Sequence, residues 1–175
     1  MKTLDFTLIG TNPFLMHAGK SIDNVPKDFK DWPDDQKAEA VAYRNPKTRE
    51  LVLPASNLMR GLISAGKYVK PSNAPKMRVL TPLLTAAVTP AKSEFSFGTQ
   101  EYAIDKQSVV VQKQRIPRIR PRLDEWQVAV TLNYDENMIS VADIKEAVVK
   151  LGSMIGLGDF RPEKKGWFGT FTVKF

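Results

Sequence analysis

WQVAVTLNYDENMISVADIKEAVVKLG, residues 126–152, decides how the chain is read. In its first half Trp126, Val128, Val130 and Leu132 alternate with Gln127, Ala129, Thr131 and Asn133. A period of two marks a strand with one face in a core. The second half changes period. Ser140 is a good N-cap, and Val141, Ile144, Val148 and Leu151 recur at helical spacing before Gly152, which predicts a helix over 141–151.

Working outward, Phe171, Val173 and Phe175 alternate with Thr170, Thr172 and Lys174, which predicts a last strand. At the other end Leu4, Phe6 and Leu8 alternate with Thr3, Asp5 and Thr7, which predicts a first strand over 3–9. Leu51-Val52-Leu53 reads as a short buried strand that Pro54 ends. Ser56 then reads as the N-cap of a helix over 57–65, with Leu58, Met59, Leu62 and Ile63 as its apolar stripe and Gly66 as its stop. Gly61 inside that helix is costly relative to Ala, which implies close packing at that point. Pro82 and the threonines favour strand over helix in the apolar stretch 79–88, and two further strands are expected at 94–97 and 108–111 around Gly98.

The resulting order is strand, helix, strand or strands, strand, helix, strand. It predicts an α+β chain with the split βαβ order of the ferredoxin-like, RNA-recognition-like fold, its two helices covering one sheet face. Residues 1–175 are read as a single domain with two excursions. One is a polar insertion over 18–49 after the first strand, with a short helix at 34–43; it reads as mobile or partner-facing. The other is a basic hairpin or arm over 94–124.

Composition narrows the function. The 175 residues contain no cysteine, which excludes thiolate zinc sites, iron–sulfur clusters, disulfides and thiol nucleophiles. No run is apolar enough for a membrane span, so a soluble, cytoplasmic protein with no membrane partner is expected. The net charge of +7 favours polyanionic partners. No cofactor and no metal site are expected; Asp34-Asp35 beside Pro33 reads as a helix start instead.

That charge is concentrated at 113–122, KQRIPRIRPR, which carries Lys113, Arg115, Arg118, Arg120 and Arg122 with no acid before Asp124. Pro117 and Pro121 keep the stretch extended and argue against a central strand. In an extended chain Arg118, Arg120 and Arg122 project to one side, as a row of phosphate contacts would. On that reading, replacing the arginines would weaken binding and leave stability nearly unchanged. The alternative is a solvated basic edge that deters strand pairing.

A second feature is the loop 156–169, GLGDFRPEKKGWFG. Its glycines let backbone approach a ligand, Arg161, Lys164 and Lys165 supply charge, and Phe160 and Trp167 supply stacking faces, as Trp32 does elsewhere. It equally reads as a tight connection with core aromatics. It lacks the Gly-Lys-Ser/Thr ending of a phosphate-binding P-loop. His17 is the sole histidine, and with Asp23 it is a weak catalytic candidate that reads better as a contact residue.

Two of these segments resemble the RAMP superfamily, the backbone and processing proteins of CRISPR effectors. Leu53-Pro54-Ala55-Ser56-Asn57-Leu58-Met59-Arg60-Gly61-Leu62 resembles that superfamily's Pro-x-Ser-x-Leu-Arg-Gly helix start. Residues 156–169 resemble its C-terminal glycine-rich loop, with Gly158, Arg161, Gly166 and Gly169 matching best. The first strand and Phe14-Leu15-Met16-His17-Ala18-Gly19 are similar to its first strand and following turn. The matches cover about a third of the chain, and its short length is more similar to phage or prophage relatives. The resemblance implies an RNA-recognition-like fold, binding of single-stranded RNA or DNA, and self-association or assembly with other effector-like subunits along the strand. Some members cleave RNA with a residue after the first strand, the region of His17 and Asp23.

The leading expectation is therefore a sequence-tolerant single-strand binder. Its contacts would be Arg60, Lys113, Arg115, Arg118, Arg120, Arg122, Gly158, Phe160, Arg161, Lys164, Lys165 and Trp167, with Arg60 either a phosphate contact or a structural clamp on the glycine-rich loop. Two alternatives stay open: a metal-independent endoribonuclease with His17 as base, and a phage interaction module or inhibitor working through 18–49 in an infected host cell.

Overall fold

The computed structural model describes residues 1–18, 28–74, 76–111 and 114–175, with the side chains of 109–111 and 114–116 also outside the description. The protein is a mixed α+β structure with antiparallel sheets and a few helices. Its main sheet joins β1 (Lys2–Gly10), β4 (Val88–Pro90), β8 (Gln127–Tyr134) and β9 (Phe171–Lys174) in the order β4-β8-β1-β9. Every pairing is antiparallel, so the first, eighth and last strands share one sheet, as their common alternation predicts.

Register follows from which face is buried. Phe6 lies opposite Val130, and Leu8 lies opposite both Val128 and Val173. Leu4, Phe6, Leu8, Val128, Val130 and Leu132 all turn inward, and a slip of one residue would turn every one of them to water. Their burial stabilises the fold by about 1.5–3 kcal/mol per side chain. The same core takes the apolar stripes of two helices, here numbered α2 (Ala55–Ala65) and α4 (Val141–Lys150). Two shorter helices are α1 (Asp34–Ala40) and α3 (Thr81–Ala87).

A second, three-stranded sheet has the order β2-β7-β6, from β2 (Phe14–Leu15), β7 (Gln114–Leu123) and β6 (Ala103–Val111). β6 and β7 form a hairpin, and β2 pairs with its base, Phe14 against Leu123 and Leu15 against Arg122. A two-stranded ribbon joins β3 (Val52–Pro54) to β5 (Glu94–Ser96). Trp126 joins the layers. Its ring meets Phe14, Phe97 and Phe171 at 5.4–6.0 Å between centroids, and its indole N–H donates to the Asn12 carbonyl at 2.9 Å.

Several sequence expectations need correction. Residues 81–87 are helical, not extended, because Pro82 falls in the first turn, where a missing N–H costs nothing. Ser56 lies inside α2, whose N-cap is Pro54. Gly66 is right-handed and continues into a 3-10 turn. It is needed for a close approach instead, since a Cβ there would lie 2.8 Å from the Thr81 nitrogen. Val141 is exposed, and Ala147 takes its place in the stripe of α4. The Ser140 cap is present, accepting from the Asp143 N–H at 3.1 Å.

The arm is a strand flanked on both sides at its base, despite its two prolines. The Pro121 carbonyl accepts from the Met16 N–H at 3.0 Å, so the edge of Pro121 that lacks an N–H faces the short strand β2. In the excursion after β2, residues 28–49 are held by Arg44, which donates to Glu39 and to the carbonyls of Arg49 and Gln100. Residues 19–27 of that excursion lie outside the described residues.

Candidate functional site

Four separate segments converge on one half-enclosed cavity of about 330 Å³. β2 leads into His17, α2 brings Asn57 and Arg60, β7 brings Arg118, and the loop after α4 brings Leu157, Gly158, Asp159 and Arg161; Tyr43 closes one side.

Backbone contacts fix this convergence. The loop lies along β2, with the Asp159 N–H donating to the Leu15 carbonyl at 2.9 Å. Gly158 sits at φ +78°, and a Cβ there would lie 2.5 Å from that same carbonyl, so the position needs glycine on both counts. Gly61 lets α2 approach the same loop: a Cβ would lie 2.7 Å from Leu151 and 3.3 Å from Leu157. The close packing implied by a glycine inside that helix is therefore against the glycine-rich loop and its lead-in.

His17 is held from three sides. Met16 and Ala18 on either side donate their N–H groups to the Pro121 and Val41 carbonyls, and the Tyr43 hydroxyl donates to the His17 carbonyl at 3.2 Å. Burial, and then the charge of Arg118, push the imidazole below its ordinary pKa of 6.5, with Asp159 opposing. It is neutral at pH 7.

Arg118, Arg120 and Arg122 do project to one side of β7, but the protein itself occupies much of that side. Arg120 is 1% exposed and donates to Asp105 at 2.7 and 3.0 Å and to Asp159 at 3.0 Å. Arg120 is expected from the sequence to contact a phosphate; here its guanidinium is taken up by two carboxylate partners, and a phosphate would have to displace one of them to reach it. Arg118 is partly exposed and only loosely paired, 3.4 Å from Asp159, and it lines the cavity. Arg122 pairs with Asp124 at 2.8 Å and lines a different groove. Lys113 and Asp23 lie outside the described residues, as does the side chain of Arg115.

Arg60 is exposed at the rim and has no ion-pair partner among the described residues. Arg161 donates to the Gly158 carbonyl at 3.0 Å and pairs with Glu163 at 2.6 Å. Burial opposes the charge on Asp159, but the hydrogen bond from Arg120 and the charges of Arg118 and Arg120 prevail and hold its carboxyl below the ordinary 3.8. Glu163 is likewise held down, against burial, by hydrogen bonds from Ser64 and Arg161.

Lys164 and Lys165 are exposed on the outer turn of the loop. Trp167 is 53% exposed, with its other face stacked on Phe168 at 4.0 Å; Phe160 is at the edge of exposure and Phe168 is buried. The loop thus combines both readings of its sequence: glycines serving tight geometry, and one aromatic face open to solvent. Trp32 is half-buried against Phe29, far along the chain in the excursion.

Sequence reasoning missed Asp105, Asp159, Tyr43 and Asn57. The signal available for the two aspartates was a general one: a dense run of arginines on one strand face needs internal carboxylates if any of it is buried, without marking which carboxylates those are. Among the described residues no group of three or more His, Asp or Glu is placed to hold a metal ion, and no helix is long and apolar enough to cross a membrane. No protein-family model matches the chain, and no curated protein is significantly similar to it.

Proposed function

We propose that this protein binds single-stranded nucleic acid, with the His17–Arg60–Arg118–Arg161 cavity as its phosphate site and Trp167 as a base platform. One observation carries the reading: three arginines from three separate segments line one cavity of about nucleotide size, and two of them have charge to spare. Arginine suits this use because its planar fork matches phosphate oxygens. Exposed Lys164, Lys165 and Trp167 extend the same loop with charge and a stacking face.

The fold reading supports it. The order β4-β8-β1-β9, wholly antiparallel, with α2 between β1 and β4 and α4 between β8 and β9, is what a ferredoxin-like split βαβ core requires. We read the β6–β7 hairpin as an insertion between its middle strands. The RAMP resemblance gains support from contact: the helix start and the glycine-rich loop, more than ninety residues apart, meet around Gly61.

A second reading, metal-independent RNA cleavage, is favoured by the neutral His17 facing the arginines, since a base must be unprotonated and the transition state is anionic.

The test is the salt dependence of binding to labelled octanucleotides of RNA and DNA. Arg60→Gln with Arg118→Gln is expected to reduce the slope of log affinity against log salt by about 1.4, at about 0.7 per phosphate contact. An unchanged slope refutes the assignment of the cavity. Metal-free cleavage of the RNA that disappears with His17→Ala would establish the second reading.

A further inference from the structure

Among the described residues, four guanidinium groups, Arg60, Arg118, Arg120 and Arg161, and three carboxylates, Asp105, Asp159 and Glu163, surround or support the cavity, which leaves one positive charge in excess among them while His17 is neutral. His17 is the only group there with an ordinary pKa near neutrality. Its backbone is fixed in the cavity wall, because its own carbonyl and the N–H groups of both neighbours are bonded to Tyr43, Pro121 and Val41.

Resting on the nucleic-acid reading, we propose that His17 is a proton-linked anion contact: neutral in the empty cavity, it takes up a proton when a phosphate enters. The charged groups facing it decide the sign. From β7, Arg118 and the buried Arg120 repel an imidazolium; from the glycine-rich loop, Asp159 attracts it. From α2, Arg60 adds a further cation at the rim, and Tyr43 offers only a hydroxyl. In the free protein burial, and then the arginines, outweigh Asp159. An entering phosphodiester places a fixed negative charge among the arginines, cancels their repulsion, and offers imidazolium an acceptor. Phosphodiesters do not titrate between pH 5 and 8, so any proton gained on binding belongs to the protein.

Linkage gives the consequence. A group whose pKa rises on binding makes affinity rise as pH falls, by up to about tenfold per pH unit between the free and bound values. The transfer requires no bond to break; a proton moves from solvent to an imidazole nitrogen.

Because the chain has one histidine, its ring C–H resonance is unambiguous. That resonance is to be titrated in the free protein and in the protein saturated with octathymidylate or octauridylate. The expected result is an upward shift of the His17 midpoint on binding. Calorimetry at pH 7 in two buffers of different ionisation heat should show uptake of a fraction of a proton per complex. His17→Gln should bind with an affinity independent of pH from 6 to 8. Binding with no midpoint shift and no proton uptake overturns this inference and leaves the nucleic-acid reading standing. Absence of binding by either oligonucleotide at any pH overturns both. The midpoint shift is read on the wild-type protein, so an unstable variant does not remove the test.

Discussion

Arg120 on the hairpin and Asp159 in the glycine-rich loop are joined at 3.0 Å through a guanidinium that is almost wholly buried. The same guanidinium holds Asp105 on the neighbouring strand. One side chain therefore fixes the arm to the loop that forms the other wall of the cavity. Arg118, two residues along the same strand, is aimed into the cavity by that attachment.

This relationship separates arginines that look alike in the sequence. Arg120→Gln leaves Asp105 buried without its counter-charge, and breaking a buried pair in this way costs about 3–5 kcal/mol. Arg122→Gln removes a partly exposed pair with Asp124 and is expected to cost at most about 1 kcal/mol. Denaturant unfolding of the two single variants measures both. Equal stabilities would show that the buried network does not hold the arm. Replacing Arg115, Arg118, Arg120 and Arg122 together is therefore expected to destabilise the protein, contrary to the forecast from sequence that stability would hold.

The difference between the two forecasts shows what was legible. Alternation in 3–9, 126–132 and 170–175 marked three strands of one sheet, because a half-buried sheet imposes a period of two on the sequence. The capped helix at 141–150 was legible for the same kind of reason, through Ser140 and a stripe at helical spacing. The helix at 81–87 was not, since Thr and Pro have poor helix propensity and the packing of Leu80 and Leu84 overrides it. In the site, the positions of His17, Arg60, Gly158 and Arg161 could be named, and Arg60 could be offered as a clamp on the glycine-rich loop, but the meeting of all four at one cavity could not. Nor could the burial of Arg120, which depends on Asp105 and Asp159, fifteen and thirty-nine residues away. Long-range charge pairing leaves no local period to read.

One imidazole and three carboxylates set the acid limb of stability. His17 lies below its ordinary 6.5 in the folded protein, Asp159 below its ordinary 3.8, and Glu39 and Glu163 below their ordinary 4.5. A depressed folded pKa gives stability that is complete above the unfolded value and lost as pH falls toward the folded one. Stability is therefore expected to fall in two steps, one beginning near pH 6.5 from His17 and one beginning near pH 4.5 from the carboxylates together. His17→Gln should flatten the first step. Asp159→Asn should be less stable at pH 7, where it lacks the partner of Arg120, and should flatten the second. Denaturant midpoints from pH 7.5 to 3 follow both, and a first step that persists in His17→Gln would place its origin elsewhere.

Trp167 and Phe168 are neighbours in sequence with opposite exposures, and this gives a clean separation of stacking from folding. Phe168 is buried beneath the loop, so Phe168→Ala is expected to cost about 3–5 kcal/mol of stability by leaving a cavity. Trp167 offers one face to solvent while the other lies on Phe168 at 4.0 Å. Its removal takes away a surface contact, so Trp167→Ala should lower stability by no more than about 1 kcal/mol. If that face stacks a base, the same variant loses about 1–3 kcal/mol of binding, about fivefold to about 150-fold in affinity for an octanucleotide. The loss should be nearly independent of salt, because stacking releases no counterions, in contrast to the losses at Arg60 and Arg118. Trp167→Phe keeps a ring and should restore most of the affinity. A Trp167→Ala protein that is stable and binds as tightly as wild type would remove Trp167 from the interface and confine the ligand to the cavity.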